Sequence, residues 1–390
     1  MTTKWPVMNL AAGPVEATDR TLREHARPIL FHYDPAFIEL FERTCQLLQQ
    51  AFCTKYDAVI LQGEAVLGLE GAAVSLISPG DKALNLVSGV FGKGYERHIK
   101  RAGGEVIELA VPYNEAVDPE DVYQTLKQHG DIKFVSVVHS ETPSTTLNPI
   151  KEIGRIAKQF GAITIVDTVS GLGGELLSPE EWGIDVAVAG PQKCLGGTPG
   201  LTIMAVSPDA WQAMERHKPP LRGSYLSILD FKDKWIDNHV FPFTPHVTDV
   251  YALESVLAQA LEEGIVRYTA RHGAIARACR AGVRGMGLEL WAASEAIAAA
   301  CVTGVRVPEG LTDEPILRTL RDRYGLMISG SLGEIKGKLI RLGHMGKAAH
   351  PFFLAGQLAM LERTLDDLGW PVRLGSGVGA AMAALEGWEF

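Results

Sequence analysis

Lys193 and Asp167 are the two residues of this chain whose types and placement most suggest chemistry. Lys193 stands in GPQKCLGGTPG (190–200), a loop of glycines and prolines that follows the apolar run VAVA at 186–189. A lysine so flanked is held out from a packed core. Its neutral amine can attack an aldehyde and form a Schiff base. Asp167 closes the run ITIVD, 26 positions earlier. A carboxylate there can pair with a protonated pyridine nitrogen, and a protonated pyridine ring withdraws electrons from an attached carbon. Each residue alone has a plainer reading, since a strand-end aspartate often caps a turn and a loop lysine is usually solvated. Their tandem placement, each after an apolar run, favours the chemical one. Two further segments follow such runs: SGVFGKG (88–94) after ALNLV, and HSETPST (139–145) after FVSVV.

These residues need a scaffold of short buried strands. The runs at 83–87, 106–111, 134–139, 163–167, 186–189 and 201–206 are β-branched and bounded by Gly, Asp or Pro. Such runs read as strands of a mostly parallel sheet, buried on both faces. Amphipathic patterns at 95–102 and 150–160 lie between them, so an α/β layered fold with helices on both faces is expected. In such a fold, ligands bind at the carboxyl ends of the strands, where the four segments fall. A long Ala- and Arg-rich helix is predicted at 267–286, followed by less regular strands and helices at 312–324 and 351–368. The boundary is placed at Glu263-Gly264: a large ligand-binding domain at 1–265, with an N-terminal arm over about 1–20, and a smaller α+β domain at 266–390.

Composition bounds the function. The 390 residues carry a net charge of −9, with 46% hydrophobic and 21% charged residues. That apolar fraction excludes a disordered chain. The acidic balance argues against a nucleic-acid or anionic-membrane surface, both of which need a positive field. Cys45, Cys53, Cys194, Cys279 and Cys301 are odd in number and contain no CxxC pair, so neither a disulfide framework nor a zinc site is expected. The start shows no apolar signal-peptide core, and no apolar run reaches the ~18 residues of a membrane span. A cytoplasmic protein is the expectation.

The motifs DTVSGLGG (167–174), GPQKCLGGTPG (190–200) and RLGHMG (341–346) resemble those of fold-type I, class V aminotransferases, the group related to alanine/serine–glyoxylate aminotransferase. AAGPVEATDRTL (11–22) and VRLGSGVGAA (372–381) extend the likeness over nearly the whole chain. The resemblance implies a Schiff-base and proton-shuttling role for Lys193, and pyridinium pairing for Asp167. It implies ring stacking by Phe91 and a hydroxyl from Thr142 at the ring's phenolic oxygen. Arg341 would clamp the substrate carboxylate, helped by Ala12 and Gly13; a planar guanidinium can bind both its oxygens. The site would lie at a subunit interface of a homodimer or homotetramer. Thr244 would then serve the partner's site, and Tyr33 is a candidate for its entrance.

One segment departs from the family pattern. Members of this family hold the phosphate of pyridoxal 5′-phosphate at a helix N-terminus, on a glycine, a small hydroxyl residue and a glycine. Here the segment reads GEAVLGLE (63–70), with Glu64 at the hydroxyl position and Ala65 after it. A tyrosine that usually donates to the phosphate aligns with Phe241 in FPFT (241–244). A phosphate of about −2 at ~4 Å from a carboxylate is repelled by several kcal/mol at an effective dielectric of ~20. The helix dipole returns only about 0.3–2 kcal/mol. The expected ligand is therefore unphosphorylated pyridoxal or pyridoxamine, acting as a substrate and not as a tightly bound cofactor.

GEAVLGLE, SGVFGKG, VPYNEAVDP and GKLIRLGHMG are similar to a branch of the family that exchanges pyridoxamine and pyruvate for pyridoxal and L-alanine. That branch would have an arginine where this chain has Leu332, in SGSLGE (329–334), so the keto acid is less defined than the vitamin. The alternatives are a glyoxylate aminotransferase with bound pyridoxal 5′-phosphate, and a non-catalytic vitamin B6 binder. The second has no need of Lys193, Asp167 and Arg341 together. His139, His246 and His344 lack metal-ligand spacing, so no metal is expected. Cys194 reads as a packing residue. Arg267, Arg271, Arg277, Arg280 and Arg284 read as a solvated or interdomain face.

Overall fold

The computed structural model describes residues 7–217 and 219–389. The first six residues of the expected arm lie outside them. Seven strands form the central sheet: β1 (Asp57–Gln62), β2 (Lys82–Val87), β3 (Glu105–Ala110), β4 (Ile132–Val138), β5 (Ile163–Asp167), β6 (Val186–Ala189) and β7 (Leu201–Val206). Their order is β1-β7-β6-β5-β4-β2-β3. All run parallel except β7, which is antiparallel to both neighbours. Every residue of VAVA (β6) and LTIMAV (β7) is buried, as helices on both faces require. β1 is absent from the strands expected above. Its AVIL core is short and lies between Asp57 and Gln62, and its pairing partner is β7, about 140 residues away.

Two helices leave the carboxyl ends of these strands and frame the cavity described below. Helix α1 (Ala65–Leu76) follows β1, and α2 (Val90–Arg101) follows β2. Later, α3 (Val247–Glu263) and α4 (Ile265–Gly285) are separated by Gly264 alone. Its φ of +86° lies in the left-handed region, where a side chain would be strained. The C-terminal part carries an antiparallel sheet of β8 (Val302–Arg306), β9 (Ser329–Gly330) and β10 (Leu339–Gly343), with β10 central. Helices Asp313–Tyr324 and Pro351–Asp367 cover it.

Among the described residues, two large apolar cores result, with two small clusters beside them. The larger surrounds the seven-stranded sheet and includes Tyr268 of α4; the smaller takes Ala274, Ile275, Ala278, Cys279 and Val283 from the same helix. One helix thus spans both cores. Its arginines are not all solvated, in contrast to one of the two readings above. Arg280 is buried, pairing with Glu295 and donating to the Ala299 carbonyl at 3.3 Å. Arg271 chelates Glu263 and donates to the Ala349 carbonyl at 2.6 Å.

The N-terminal segment joins the smaller core before it reaches the large one. Strand Met8–Asn9 pairs in parallel with Leu326–Met327, and Leu10 packs in the smaller core. Further on, Ala12 N–H donates to Ser329 Oγ at 2.9 Å, and Val15 N–H to the Gln192 carbonyl at 3.1 Å. Among the described residues no helix is long and apolar enough to cross a membrane.

Arg280→Met keeps the bulk of that side chain and removes its charge-assisted bonds. It should lower unfolding free energy by about 1–3 kcal/mol, read by urea denaturation. A stability equal to wild type would show that the Glu295 pair contributes nothing.

Candidate active site

The carboxyl ends of β1, β2, β4, β5 and β6 share one side of the sheet, and a cavity of about 610 Å³ opens there. Gly13, Glu64, Ala65, Phe91, Asp167 and Lys193 line it. Ala12, Thr142 and Arg341 are not among its lining residues; Ala12 and Thr142 each bond to a residue that is, Lys193 and Ser170, and Arg341 bonds to Thr142.

Lys193 Nζ donates to the Ala12 carbonyl at 2.7 Å. Burial lowers the pKa of this ammonium, and the positive Arg341 acts in the same direction. A larger neutral fraction suits an amine that must act as a nucleophile or base. Gly13 leaves the space for it: its φ is +88°, and a Cβ there would fall 2.3 Å from Lys193 Cδ.

Asp167 accepts the Val169 N–H at 2.9 Å, and its second oxygen takes no hydrogen bond from the described residues. Burial pushes its pKa up to about 6. The Val169 N–H and Lys193 oppose that rise, and the negative Glu64 adds to it. Glu64 is the N-cap of α1, in extended conformation, and its carboxylate makes no capping bond. That helix end therefore opens onto the cavity with a carboxylate at its rim.

Arg341 sits on β10, opposite Ser329 in the ladder. Its Nε donates to the Gly330 carbonyl at 2.7 Å and its Nη1 to the Thr142 carbonyl at 3.2 Å. Burial lowers its pKa to about 10, although the buried carboxylate of Glu141 favours its charge. No carboxylate lies within ion-pair distance of it among the described residues. Thr142 Oγ1 bonds with the hydroxyl of Ser170, a residue that lines the cavity.

Comparison with known proteins gives the family. The family model described as "Aminotransferase class-V" matches residues 36–338. The chain is 45% identical to the pyridoxamine–pyruvate transaminase of Mesorhizobium japonicum over 381 residues, 98% of this chain and 97% of that one. The crystal structure of pyridoxamine–pyruvate aminotransferase from Mesorhizobium loti superposes with a TM-score of 0.95 at 45% identity, covering 98% of both chains. The (S)-ureidoglycine–glyoxylate transaminase of Bacillus subtilis is 30% identical over 91% of this chain and 90% of its own. This chain is a class V aminotransferase. Its fold is the α/β fold-type I arrangement that the motifs implied.

Class V aminotransferases act through a pyridoxal group bound to a lysine as a Schiff base. The residues present here fit the ring and aldehyde ends of such a group: Lys193 offers an amine of lowered pKa, and Asp167 offers a carboxylate oxygen without a partner. Among the described residues no group of three or more His, Cys, Asp or Glu is arranged to hold a metal ion.

Some expected residues are not brought to the cavity. Phe241, aligned above with a phosphate-donating tyrosine, is a core residue in this class V enzyme. It is buried, stacks on Trp235 at 4.6 Å and packs against Phe37 and Phe41. Phe243 is the aromatic of FPFT that stands nearer solvent, stacked on Tyr225 at 4.4 Å. Thr244 is exposed and gives its carbonyl to Gln62 Nε2. Tyr33 is 44% exposed, in edge contact with Phe31. Neither lines the cavity of this chain. Leu332 is exposed on a loop whose Gly333 packs against Val90, beside Phe91.

Three site residues were missed from sequence. Glu141 is fully buried, and its two oxygens accept the Phe91 and Gly92 N–H groups, each at 2.9 Å. Burial raises its pKa to about 7, against those two N–H groups. Ser170 and Gln192 line the cavity, and the Gln192 side-chain oxygen is buried without a partner. A glutamate inside HSET, at the end of an apolar strand, was the available signal for the first.

Two variants test this geometry. Gly13→Ala should displace Lys193 and lower turnover about a hundredfold, as misplacement by ~1 Å does; an unchanged rate would mean the lysine does not use this position. Asp167 carries its proton below about 6 and is a carboxylate above it, so pyridoxal binding, followed by absorbance, should weaken as pH falls through that value. Asp167→Asn should flatten that limb and weaken binding by about 10- to 100-fold, the loss of one charged hydrogen bond.

Proposed function

We propose that this aminotransferase converts pyridoxamine and pyruvate to pyridoxal and L-alanine, reversibly, with unphosphorylated vitamin B6 as a substrate. The observation that carries the reading is Glu64. A carboxylate at the α1 N-terminus, lining the cavity and felt electrostatically by Asp167, repels a phosphate by several kcal/mol at ~4 Å. A neutral hydroxymethyl group can instead donate a hydrogen bond to it. The 45% identity to a pyridoxamine–pyruvate transaminase over 98% of the chain supports the same reading.

In this reading the vitamin supplies an electron-withdrawing ring joined to an amine or aldehyde carbon. The chain's residues do the rest. Asp167 keeps the pyridine nitrogen protonated by offering it a buried carboxylate. Lys193 carries a proton between the ring-side carbon and the amino-acid Cα, and Ala12 holds its amine in place meanwhile. Arg341, fixed by two backbone carbonyls, keeps donors for the pyruvate carboxylate, with the Ala12–Gly13 turn beside it. Phe91 covers a face of the ring and Thr142 acts near its phenolic oxygen. The vitamin-binding domain would be residues 1–265, its N-terminal arm reaching over to the smaller domain at 266–390. A homodimer or homotetramer would bring Thr244 and Tyr33 to a neighbouring subunit's site. A cytoplasmic setting suits small, diffusible substrates.

A second reading is a glyoxylate aminotransferase with bound pyridoxal 5′-phosphate. The open helix end and the 30% identity to a ureidoglycine–glyoxylate transaminase favour it. The purified protein separates the two. Turnover of pyridoxamine with pyruvate, and no phosphorylated cofactor surviving dialysis, is expected. Retained pyridoxal phosphate, with good turnover of alanine and glyoxylate and none of pyridoxamine, would overturn the proposal. Glu64→Ser should raise the preference for phosphorylated over free pyridoxal by at least about tenfold, a conservative part of the repulsion removed; an unchanged ratio would acquit Glu64. Lys193→Ala should abolish turnover.

A further inference from the structure

Phe91 is a large apolar side chain, 42% exposed, on the cavity wall. Little packing fixes it, so its direction depends on the backbone that carries it. That backbone is the first turn of α2, where N–H groups have no partner within the helix. The N-cap is Gly89, which has no side chain to satisfy them. Glu141, 50 residues away in sequence, does so with both carboxylate oxygens, on Phe91 N–H and Gly92 N–H.

The surrounding residues make room for that contact. Gly89 has φ of 177°, extended backbone that any residue adopts. Space is what requires glycine: a Cβ there would fall 2.1 Å from Glu141 Cγ and 2.3 Å from Ser144 Oγ. The contact is also costly. A fully buried carboxylate with no cation within ion-pair distance is destabilising unless hydrogen-bonded. A serine or aspartate at the N-cap would satisfy the same helix end more cheaply. The next residue, Thr142, gives its carbonyl to Arg341. Adjacent residues therefore brace the aromatic wall and the carboxylate clamp.

We propose that Glu141 is a positioning residue which, by holding the Phe91 and Gly92 N–H groups, fixes the aromatic face against which the vitamin's ring lies. The inference rests on the functional reading above, since it takes a pyridoxal-type ring to occupy the cavity. Glu141 touches no substrate; it acts through Phe91.

A double-mutant cycle on pyridoxal binding tests it. Glu141→Gln keeps the shape but turns an NH₂ toward one of the two N–H groups. It should weaken pyridoxal binding about tenfold, the loss of one charged hydrogen bond. Phe91→Ala should weaken it by a similar factor. The double variant should be no weaker than Phe91→Ala alone, because nothing remains for Glu141 to position. Losses that multiply, or wild-type binding by Glu141→Gln, would overturn the proposal. If Glu141→Gln does not fold, Glu141→Asp, which retains the charge one methylene short, is read by the same cycle and the same criteria. Each titration is repeated with pyridoxal 5′-phosphate. Preference of the wild type for the phosphate would sink the vitamin-as-substrate reading, while the cycle would still decide the role of Glu141 with that ligand.

Discussion

Four charges lie in or close behind one cleft without forming an ion pair among themselves. Asp167, Glu141, Lys193 and Arg341 are largely enclosed, and none of them makes a salt bridge among the described residues. Each is held by backbone groups: Asp167 by the Val169 N–H, Glu141 by two N–H groups, Lys193 by the Ala12 carbonyl, Arg341 by two carbonyls. Direct pairing would satisfy these charges and use them up. Backbone dipoles satisfy them partly and keep them apart; in the proposed function a ring nitrogen, an aldehyde or amine carbon and a carboxylate would complete Asp167, Lys193 and Arg341, while Glu141 stays with its two N–H groups. The displaced pKa values follow from the same arrangement, since burial without a full counter-charge disfavours every ionised form. A site built this way needs little reorganisation when charge develops during reaction.

The parallel sheet makes that separation possible. Successive strand ends lie ~5 Å apart, and each contributes one short loop: Glu64 after β1, Phe91 after β2, Glu141 after β4, Asp167 at the end of β5, Lys193 after β6. Adjacent strand ends bring groups close without forcing contact. The antiparallel β7 interrupts the series between β1 and β6. Its Thr202 hydroxyl instead bonds the Gly63 and Glu64 carbonyls, at 3.0 and 2.9 Å, and so fixes the N-terminal entry of α1.

Much of this was legible in the sequence, for local reasons. The strands at 163–167, 186–189 and 201–206 have the predicted bounds because β-branched runs end sharply at Asp, Gly or Ser. Lys193 and Asp167 were readable because each closes or follows such a run. What escaped depends on distant partners. Glu141 and Phe91 are 50 residues apart, and no local pattern ties them. Gly89, two residues before Phe91, leaves room for a carboxylate that only the fold brings there. Phe241 is an aromatic three residues before a threonine, and only packing against Trp235 and Phe37 shows that it belongs to the core. The direction of β7 likewise cannot be read from LTIMAV, whose composition suits either sense.

The N-terminal segment shows how the two cores act on one reaction centre. Arg341 belongs to the smaller sheet and Lys193 to a loop of the larger one, and in the proposed function both would meet one small substrate. Ser329 lies opposite Arg341 in the ladder, its hydroxyl accepts the Ala12 N–H, and the Ala12 carbonyl accepts from Lys193 Nζ. Ala12 itself packs with Cys194, Cys301 and Met345, residues from both sides of the junction. One residue's N–H and C=O thus link the strand that faces Arg341 to the amine of Lys193. A side chain of ordinary size beside it would break that link, which accounts for the glycine at position 13, where a Cβ would occupy the lysine's own space.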